Sequence, residues 1–345
     1  MDSVILLFLV QDGLVNGAIY ALLGIALVLV FAVTRIIFIP QGEFVAYGGL
    51  TFALLSTGTM PGTAWLLAVF GAAAFFAELW RSRHVTTGWK VLRQFVSSIV
   101  LPAAVLGLTW LLVRPNQSVW INLALTLAIV APMGPYIYRV AFQPLADASV
   151  LTLFIAAVGV HLSMVGLGLV FFGAEGLRAP ALTGAAFDLG PLPVSGQTIA
   201  VFAVTLVLIA ALYLFFDRML YGKALRATAV NRIGARLVGI PTASAGQIAF
   251  ALASALGAVS GILIVPVTTV YYDTGFLIGL KGFVAAIVGA LVSYPVTAIA
   301  ALGVGLVEAF ASFYASNFKE VIVFLLIVPV LMWRSLHSAH IEEED

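Results

Sequence analysis

The chain has 345 residues, of which 63% are hydrophobic and only 9% are charged, and its mean hydropathy is +1.15. Because a soluble domain carries roughly 25% charged residues, this composition excludes a soluble globular protein and predicts a polytopic helical membrane protein. The formal net charge of +1 identifies no partner, and basic residues with interleaved aromatics, the pattern of a nucleic-acid interface, are absent. The absence of cysteine excludes disulfides, thiol chemistry and cysteine-based metal sites.

Apolar runs long enough to cross a membrane recur from the N-terminus to the C-terminus. We predict spans at 13–34, 42–58, 62–80, 93–113, 119–137, 150–172, 198–216, 244–266, 280–294, 296–315 and 320–334. The predicted fold is therefore an all-α polytopic membrane protein, a single domain over residues 1–345 with about 10–11 transmembrane helices. The first run is not read as a signal peptide, because Asp2 and Asp12 lie near its start and no basic n-region precedes it. The turn between the ninth and tenth runs lies either inside or outside the membrane.

The segment 217–241, called here the basic segment, carries five of the sixteen Lys and Arg residues between two long apolar runs. If it is cytoplasmic, alternation of the predicted spans puts twelve of the sixteen on that same side, as the positive-inside rule requires. This places the N-terminus in the periplasm and the C-terminus in the cytoplasm. The twelve residues are Arg35, Arg81, Arg83, Lys90, Arg93, Arg139, Arg218, Lys223, Arg226, Arg232, Arg236 and Arg334.

The spacing within the basic segment predicts one or two short amphipathic helices at the membrane surface. Val230, Ile233 and Leu237 are spaced i, i+3, i+7, so they form one stripe of a helix, and Arg232 and Arg236 form a second stripe beside it. A loop that only fixes topology would explain the charges, but a docking surface for a cytoplasmic partner explains the apolar stripe as well. The residues assigned to this surface are Lys223, Arg226, Val230, Asn231, Arg232, Ile233, Arg236, Leu237 and Gly239.

Glycine and proline patterns predict two further features. The loop 173–197 on the opposite side is rich in both residues, which predicts a short hairpin cap. Gly13 and Gly17, like Gly257 and Gly261, are four residues apart in apolar runs, a spacing that favours close helix packing.

A few polar residues in or beside the predicted spans are candidates for a translocation path. A charge at the bilayer centre costs on the order of 2.5–3.5 kcal/mol, so each such residue needs a structural or functional reason. His161 is alternatively a neutral imidazole bonded to a neighbouring helix, and Glu308 a protonated or paired carboxyl that locks helices together. Glu43 and Lys281 are alternatively interface-level charges that snorkel outwards. The candidates are Asn16, Gln41, Glu43, His161, Lys281 and Glu308.

Nucleotide-binding and hydrolytic motifs are missing from the sequence. No G-x-x-x-x-G-K-[ST] occurs, and the nearest stretch, 275–282, has the wrong spacing and a glycine where Ser or Thr is needed. The patterns H-E-x-x-H and G-x-S-x-G are also absent, and no metal site is predicted. The chain is therefore not expected to hydrolyse ATP or to be an enzyme.

Several stretches resemble the permeases of branched-chain amino-acid ABC transporters of the high-affinity leucine, isoleucine and valine type. The resemblance runs from about residue 10 to residue 334, and the basic segment together with the stretch around Lys281 is its most specific part. It is carried by residues 221–227, Asn231, 239–240, 279–290, Gly303, Gly305, Glu308 and 16–22.

The sequence departs from the family pattern in a few places. Residues 38–43 stand where the family has Asn-Phe-x-His-Gly, and 142–147 where it has Tyr-Arg-Pro-Leu-Arg. Residues 289–290 are Gly-Ala instead of Gly-Gly, and residues of about 80–118 look like a two-helix insertion. These departures bear on the substrate more than on the transport function.

The resemblance implies a permease subunit of an ABC importer in the bacterial inner membrane, moving branched-chain amino acids or related small solutes. The implied partners are a second permease subunit (a paralogue or a second copy), two ATPase subunits and a periplasmic substrate-binding protein. No cofactor is implied in this chain, since ATP would be bound by the ATPase, and no nucleic acid is implied.

Two other functions stay open at this stage. A secondary transporter driven by an ion gradient would use an intramembrane carboxylate such as Glu308, but no repeat is visible and the basic segment has no role in it. An intramembrane enzyme would rest only on His161 and Glu308.

Overall fold

The computed structural model describes residues 3–82, 88–115, 117–189 and 192–337. Arg83, one of the twelve basic residues assigned to the cytoplasm, lies outside the described residues. The described residues are α-helical apart from short loops, a few π and 3-10 turns and one hairpin. The helices are α1 Ser3–Thr34, α2 Gln41–Ser56, α3 Gly62–Ser82, α4 Gly88–Phe95, α5 Leu101–Leu112, α6 Val119–Val130, α7 Met133–Ile137, α8 Val150–Phe172, α9 Gly196–Arg218, α10 Leu220–Val230, α11 Arg232–Leu237, α12 Thr242–Ile264, α13 Thr274–Val288, α14 Tyr294–Tyr314, α15 Lys319–Leu325 and α16 Ile327–His337.

Nine helical stretches of the described residues are long and apolar enough to cross a membrane, which confirms an all-α polytopic protein. They are Val4–Thr34, Gly62–Arg81, Gly88–Leu112, Val119–Leu145, Val150–Phe172, Gly196–Arg218, Thr242–Ile264, Tyr294–Tyr314 and Ser316–Trp333. The predicted count of about 10–11 transmembrane helices stays a prediction. The runs predicted at 42–58 and 280–294 form helices of only 16 and 15 residues.

These two short helices, α2 and α13, are enclosed by protein. At 1.5 Å per residue each is roughly 22–24 Å long, less than the roughly 30 Å core of a bilayer. Their backbones touch, because a Cβ added at Gly279 would lie 2.8 Å from the Cα of Gly42. A helix enclosed by protein does not have to match the lipid thickness, so the short length of α2 and α13 is compatible with their place inside the bundle.

The predicted close packing of small residues is confirmed in both places. In α1, Gly17 lies so near α14 that a Cβ added to it would be 2.7 Å from the Cα of Leu302. In α12, Gly257 lies against Phe44 of α2, where an added Cβ would be 2.7 Å from its side chain. The centre of the molecule is thus α1, α2, α12, α13 and α14.

The loop between α8 and α9 forms the predicted hairpin cap. Strands β1 Ala186–Leu189 and β2 Leu192–Ser195 pair antiparallel, with Phe187 opposite Val194. Gln197 anchors the hairpin, because its amide accepts a hydrogen bond from the Leu182 backbone and donates one to the Leu263 carbonyl in α12.

The region predicted as an insertion holds one continuous helical stretch among its described residues. Helices α4 and α5 are joined by a π-helical turn at Val96–Val100, giving 25 residues from Gly88 to Leu112. That this stretch was inserted into the family fold stays a prediction.

Candidate functional site

Four strongly exposed apolar side chains of the basic segment lie at the end of α10, on α11 and in the turn that follows. Val230, Ile233, Leu237 and Val238 are 82%, 72%, 83% and 76% exposed, and we call these four side chains the apolar patch. All four lie outside the membrane-length helices. Exposed apolar side chains outside the lipid region are characteristic of a surface that another protein covers. Val238 was missed by the sequence pattern, because it falls outside the i, i+3, i+7 spacing.

The single helical stripe predicted for Val230, Ile233 and Leu237 is wrong, since the chain breaks between α10 and α11. Asn231 adopts an extended backbone with φ of −149°, and its side-chain oxygen accepts a hydrogen bond of 2.8 Å from Gly234 N–H. Asn231 thereby caps α11, the role for which short polar side chains are favoured. Two short helices, one of the two predicted possibilities, present the apolar patch together.

The patch ends in a helix-stop motif at Gly239. This glycine has φ of +84°, and its N–H donates to the Arg236 carbonyl while Ile240 N–H donates to the Ala235 carbonyl. This pair of bonds is a Schellman motif, which needs a left-handed residue that glycine supplies without strain. It fixes the direction in which the chain leaves α11 for α12.

Arg232 and Arg236, predicted to give electrostatic fit to a partner, also contact other parts of the chain itself. Arg232 Nη1 donates to the Ala146 carbonyl at 2.7 Å, and Arg236 Nη2 lies 3.1 Å from the Asp147 carboxylate. Arg236 also donates to the Thr242 hydroxyl. These contacts tie α11 to the 146–147 turn before α8, so the two arginines position the patch.

Two of the segment's other three cations stay available, while Arg218 lies beside Asp217. Lys223 and Arg226 are exposed, and neither side chain forms a hydrogen bond or ion pair with another described residue. They border a shallow groove between α10 and α11, which Val230 and Val238 also line. The groove therefore combines apolar walls with free positive charge.

In the bundle, Glu43 of α2 meets His161 of α8. His161 Nδ1 lies 3.0 Å from a Glu43 carboxylate oxygen, and the imidazole ring stacks on Phe276 with centroids 4.5 Å apart. The second Glu43 oxygen has no hydrogen-bond partner among the described residues. Glu43 is fully buried, so the alternative in which it snorkels outwards is wrong. Because α2 is enclosed by protein, the Glu43 side chain cannot extend to the membrane–water interface.

A second buried pair joins Lys281 of α13 to Glu308 of α14. The Lys281 ammonium lies 2.5 Å from one Glu308 oxygen and 3.3 Å from Glu320, and Tyr20 O–H donates to the other Glu308 oxygen at 2.5 Å. Lys281 is 5% exposed, so the snorkelling alternative is wrong for it too. Paired carboxylates that lock helices were the alternative for Glu308, and this geometry agrees with it.

Tyr20 and Glu320 were missed by sequence reasoning. Tyr20 lies one helical turn after Asn16 on the same face of α1. A hydroxyl so close to Asn16 in an apolar span could have identified Tyr20 as a candidate. Glu320 lies at the start of α15, where an acidic residue is ordinary. Its pairing with Lys281 depends on tertiary packing.

The six path candidates do not form one hydrogen-bonded cluster among the described residues. Among the described residues, no hydrogen bond or ion pair joins the Glu43–His161 contact to the Lys281–Glu308 pair. Gln41 is fully buried and donates to the Ala253 carbonyl at 2.9 Å. Asn16 is half-buried on α1.

Comparisons with known proteins give one family. Residues 9–331 match the family described as branched-chain amino acid transport system / permease component. The chain is 26% identical over 344 residues to the high-affinity branched-chain amino acid transport system permease protein LivH of Escherichia coli K12, covering 96% of this chain and 95% of LivH. It is 29% identical over 218 residues to the corresponding protein BraD of Pseudomonas aeruginosa, covering 61% of this chain and 71% of BraD.

One solved structure, PsaBC from Streptococcus pneumoniae in complex with Fab, is 11% identical, with 94% of this chain and 89% of that chain covered. Its TM-score of 0.38 is too low to support an argument on fold or function.

The family match spans nearly the whole chain, and it agrees with the membrane-length helices and with the predicted location in the bacterial inner membrane. It makes the chain a non-catalytic transmembrane subunit. This protein therefore belongs to the permease component family of branched-chain amino acid ABC transport systems.

Proposed function

We propose that this chain is one of two permease subunits in an importer of branched-chain amino acids, fed by a periplasmic binding protein and driven by two ATPase subunits. The substrate class is supported by the names of LivH and BraD, both permeases of high-affinity branched-chain amino acid transport systems. The energy source is supported by the sequence, which has no phosphate-binding loop of its own. ATP is thus bound by the partner and no cofactor by this chain.

The apolar patch is the observation that carries this function. Fully burying a large aliphatic side chain contributes roughly 1.5–3 kcal/mol relative to leaving it exposed, so four such side chains are a strong incentive for association. Short helices that present apolar anchors outside the bilayer suit a helix-in-groove contact with a second protein. The ATPase is the partner that the proposed transport system supplies on this side.

The roles of the cations follow from their contacts. Arg232 and Arg236 hold α11 against the 146–147 turn, so we assign them to positioning. Lys223 is free to meet acidic side chains at the rim of the contact, where charges tune encounter rate and salt dependence, and Arg226 borders the same groove.

The proposed orientation places the basic segment in the cytoplasm, the N-terminus in the periplasm and the C-terminus in the cytoplasm. It is supported by the contacts of Arg81 with Arg139, of Arg232 with Ala146 and of Arg236 with Asp147, which gather four of the twelve assigned basic residues at one end of the bundle. The hairpin cap would then face the periplasm and the binding protein.

Of the six path candidates, we propose that Glu43 and His161 come nearest to a translocation role, with Gln41 two residues from Glu43 on the same helix. The supporting observation is a buried carboxylate oxygen without a hydrogen-bond partner, a group that a moving substrate could engage. Lys281 and Glu308 are better explained as a helix lock, because each already has a close partner of opposite charge.

The test is uptake of radiolabelled leucine by proteoliposomes that contain the permease, its ATPase and its binding protein. We expect uptake to require ATP and the binding protein, and to continue when an ionophore dissipates the ion gradients. Uptake that ignores ATP and stops with the ionophore would instead identify a secondary transporter, the alternative that the sequence left open.

A further inference from the structure

A cavity of about 690 Å³ lies between α1, α9, α10 and the start of α14. The C-terminal ends of α1 and α9 and the N-terminal end of α14 meet there, so the cavity lies at the end of the bundle that carries the basic segment. Its size falls within the roughly 300–1,000 Å³ of small-molecule sites in proteins. Its lining includes Ile25, Phe31, Arg35, Leu212, Phe216 and Arg226.

The cavity runs from the end of the bundle into the depth of the spans. Ile25 and Arg35 both line it and are ten residues apart on and just after α1, so it extends roughly 15 Å along the helix axis. Its inner walls are aliphatic and aromatic, which leaves water there without hydrogen-bond partners. An occupant therefore needs an apolar portion long enough to follow a transmembrane helix.

Its only charged lining residues are both cationic. Arg35 and Arg226 are exposed, and neither side chain has a hydrogen bond or ion pair with another described residue. Arg35 follows the end of α1 and Arg226 lies on α10, so both are on the side from which the basic segment projects. The occupant's polar portion is therefore expected to be anionic.

Unusual backbone conformations gather at the same place. Among the described residues, Arg35, Ala290 and Leu291 are the non-glycine residues with positive φ, at 61°, 62° and 57°. Arg35 and Leu291 line the cavity, and Ala290 precedes Leu291. Strained residues of this kind cluster at ligand sites, where the surrounding structure holds them in place.

We propose that this cavity binds one anionic phospholipid, with an acyl chain against the apolar walls and the phosphate between Arg35 and Arg226. The depth favours a lipid over a cytoplasmic protein, whose side chains would have to reach about 15 Å into the spans. The two unpaired guanidinium groups favour an anionic head over a zwitterionic one, because Arg matches phosphate geometry. A free anion would leave the apolar walls uncovered.

This site connects the lipid to the apolar patch. Leu225, Arg226, Ala229 and Val230 of α10 all line the cavity, and Val230 belongs to the patch as well. A lipid held by Arg226 and Arg35 would fix α10 relative to α1. The lipid composition of the membrane would thereby act on the helix that carries the patch.

The experiment is native mass spectrometry of the full chain, purified in detergent and titrated with dioleoyl phosphatidylglycerol, dioleoyl phosphatidylcholine or glycerol 3-phosphate. We expect one phosphatidylglycerol to be retained, in preference to phosphatidylcholine, and no retention of glycerol 3-phosphate. Arg35→Gln should lower the preference for phosphatidylglycerol roughly fivefold, as expected for one arginine near an anionic head. Arg218→Gln, an exposed arginine that does not line the cavity, should leave it unchanged.

A second pair of variants tests the apolar walls. Ala298→Trp places a large side chain in the cavity and should abolish retention of the lipid, whereas Ile299→Trp, on the adjacent lipid-facing position, should not. Equal retention of the two lipids, unchanged retention in both Arg35→Gln and Ala298→Trp, or binding of glycerol 3-phosphate alone would overturn the proposal. Loss of the lipid when the ATPase binds would also overturn it, since the cavity would then belong to the protein contact.

Discussion

The ammonium nitrogen of Lys281 lies 2.5 Å from a carboxylate oxygen of Glu308, although the two residues are 27 positions apart in the chain. Tyr20 donates to the other carboxylate oxygen, and Glu320 approaches the ammonium at 3.3 Å. The cluster thus joins α1, α13, α14 and α15 through charged contacts inside the bundle. Because every member has a partner, the desolvation cost of the charges is offset and the cluster stabilises one arrangement of the helices.

Breaking this pair from one side should destabilise the protein more than removing both charges. Glu308→Leu leaves the Lys281 ammonium without its closest partner, and loss of one member of a buried pair typically costs about 3–5 kcal/mol. Adding Lys281→Met removes the stranded charge and should recover most of the loss. Thermal unfolding in detergent, followed by tryptophan fluorescence, measures both. A double variant no more stable than Glu308→Leu alone would show that the two charges are not coupled.

The Tyr20 hydroxyl should matter more than an equally buried hydroxyl bonded to a neutral acceptor. Tyr20→Phe removes a hydrogen bond to the Glu308 carboxylate, where about 1.5–3 kcal/mol is typical, against roughly 0.5–1.5 kcal/mol for a neutral bond. Tyr47→Phe is the matched control, since Tyr47 donates to the Met164 carbonyl. The unfolding midpoint of both variants is measured, and equal shifts would contradict a special role for the Tyr20–Glu308 hydrogen bond.

Close contact between α1 and α14 predicts opposite outcomes for two glycines of one helix. A Cβ at Gly305 would overlap the backbone of Gly13 and Gly17, whereas a Cβ at Gly303 would meet nothing within 4 Å. Gly305→Val is therefore expected to lose most of the monodisperse protein on size-exclusion chromatography, and Gly303→Val to keep it. Equal yields would mean that α1 and α14 do not pack as described.

Cysteine labelling tests the proposed orientation, and the chain is suited to it because it contains no cysteine. Ala227→Cys should react with a membrane-impermeant maleimide only from the cytoplasm, and Thr183→Cys only from outside. Both positions are exposed, whereas the neighbouring Thr228 is 2% exposed, so Thr228→Cys should react only after unfolding. If Ala227→Cys and Thr183→Cys were labelled from the same side, the proposed orientation would be wrong for one of these two loops.

Features set by local sequence were predictable. The helix Val150–Phe172 has the predicted bounds, because Ser149 caps the start of the apolar run and Gly173, with φ of +80°, ends it. The hairpin cap followed from glycine and proline, and the packing of Gly17 and Gly257 from their spacing. The family itself was indicated by short stretches of the basic segment and around Lys281 and was confirmed by the full-length match.

Features set by tertiary contacts were not predictable. Glu43 and His161 were both candidates, but nothing in their sequence surroundings indicates that one meets the other across two helices. Arg232 and Arg236 looked like partner contacts, because the acceptors that hold them are 86 and 89 residues earlier in the chain. The short length of α2 and α13 was hidden in the same way, since apolar composition does not distinguish protein from lipid as the surroundings.

The measurement that tests the central claim most directly is co-purification of the ATPase with a Leu237→Asp permease. Leu237 is 83% exposed in the isolated chain, and a charge placed there should weaken a buried contact by about 10- to 100-fold, the equivalent of losing one large aliphatic side chain. We expect the variant to insert and to stay monodisperse but to lose both the ATPase and leucine uptake, while Leu237→Met keeps them. A Leu237→Asp permease that retains the ATPase at wild-type stoichiometry and still drives uptake would contradict the assignment of the apolar patch as the docking surface.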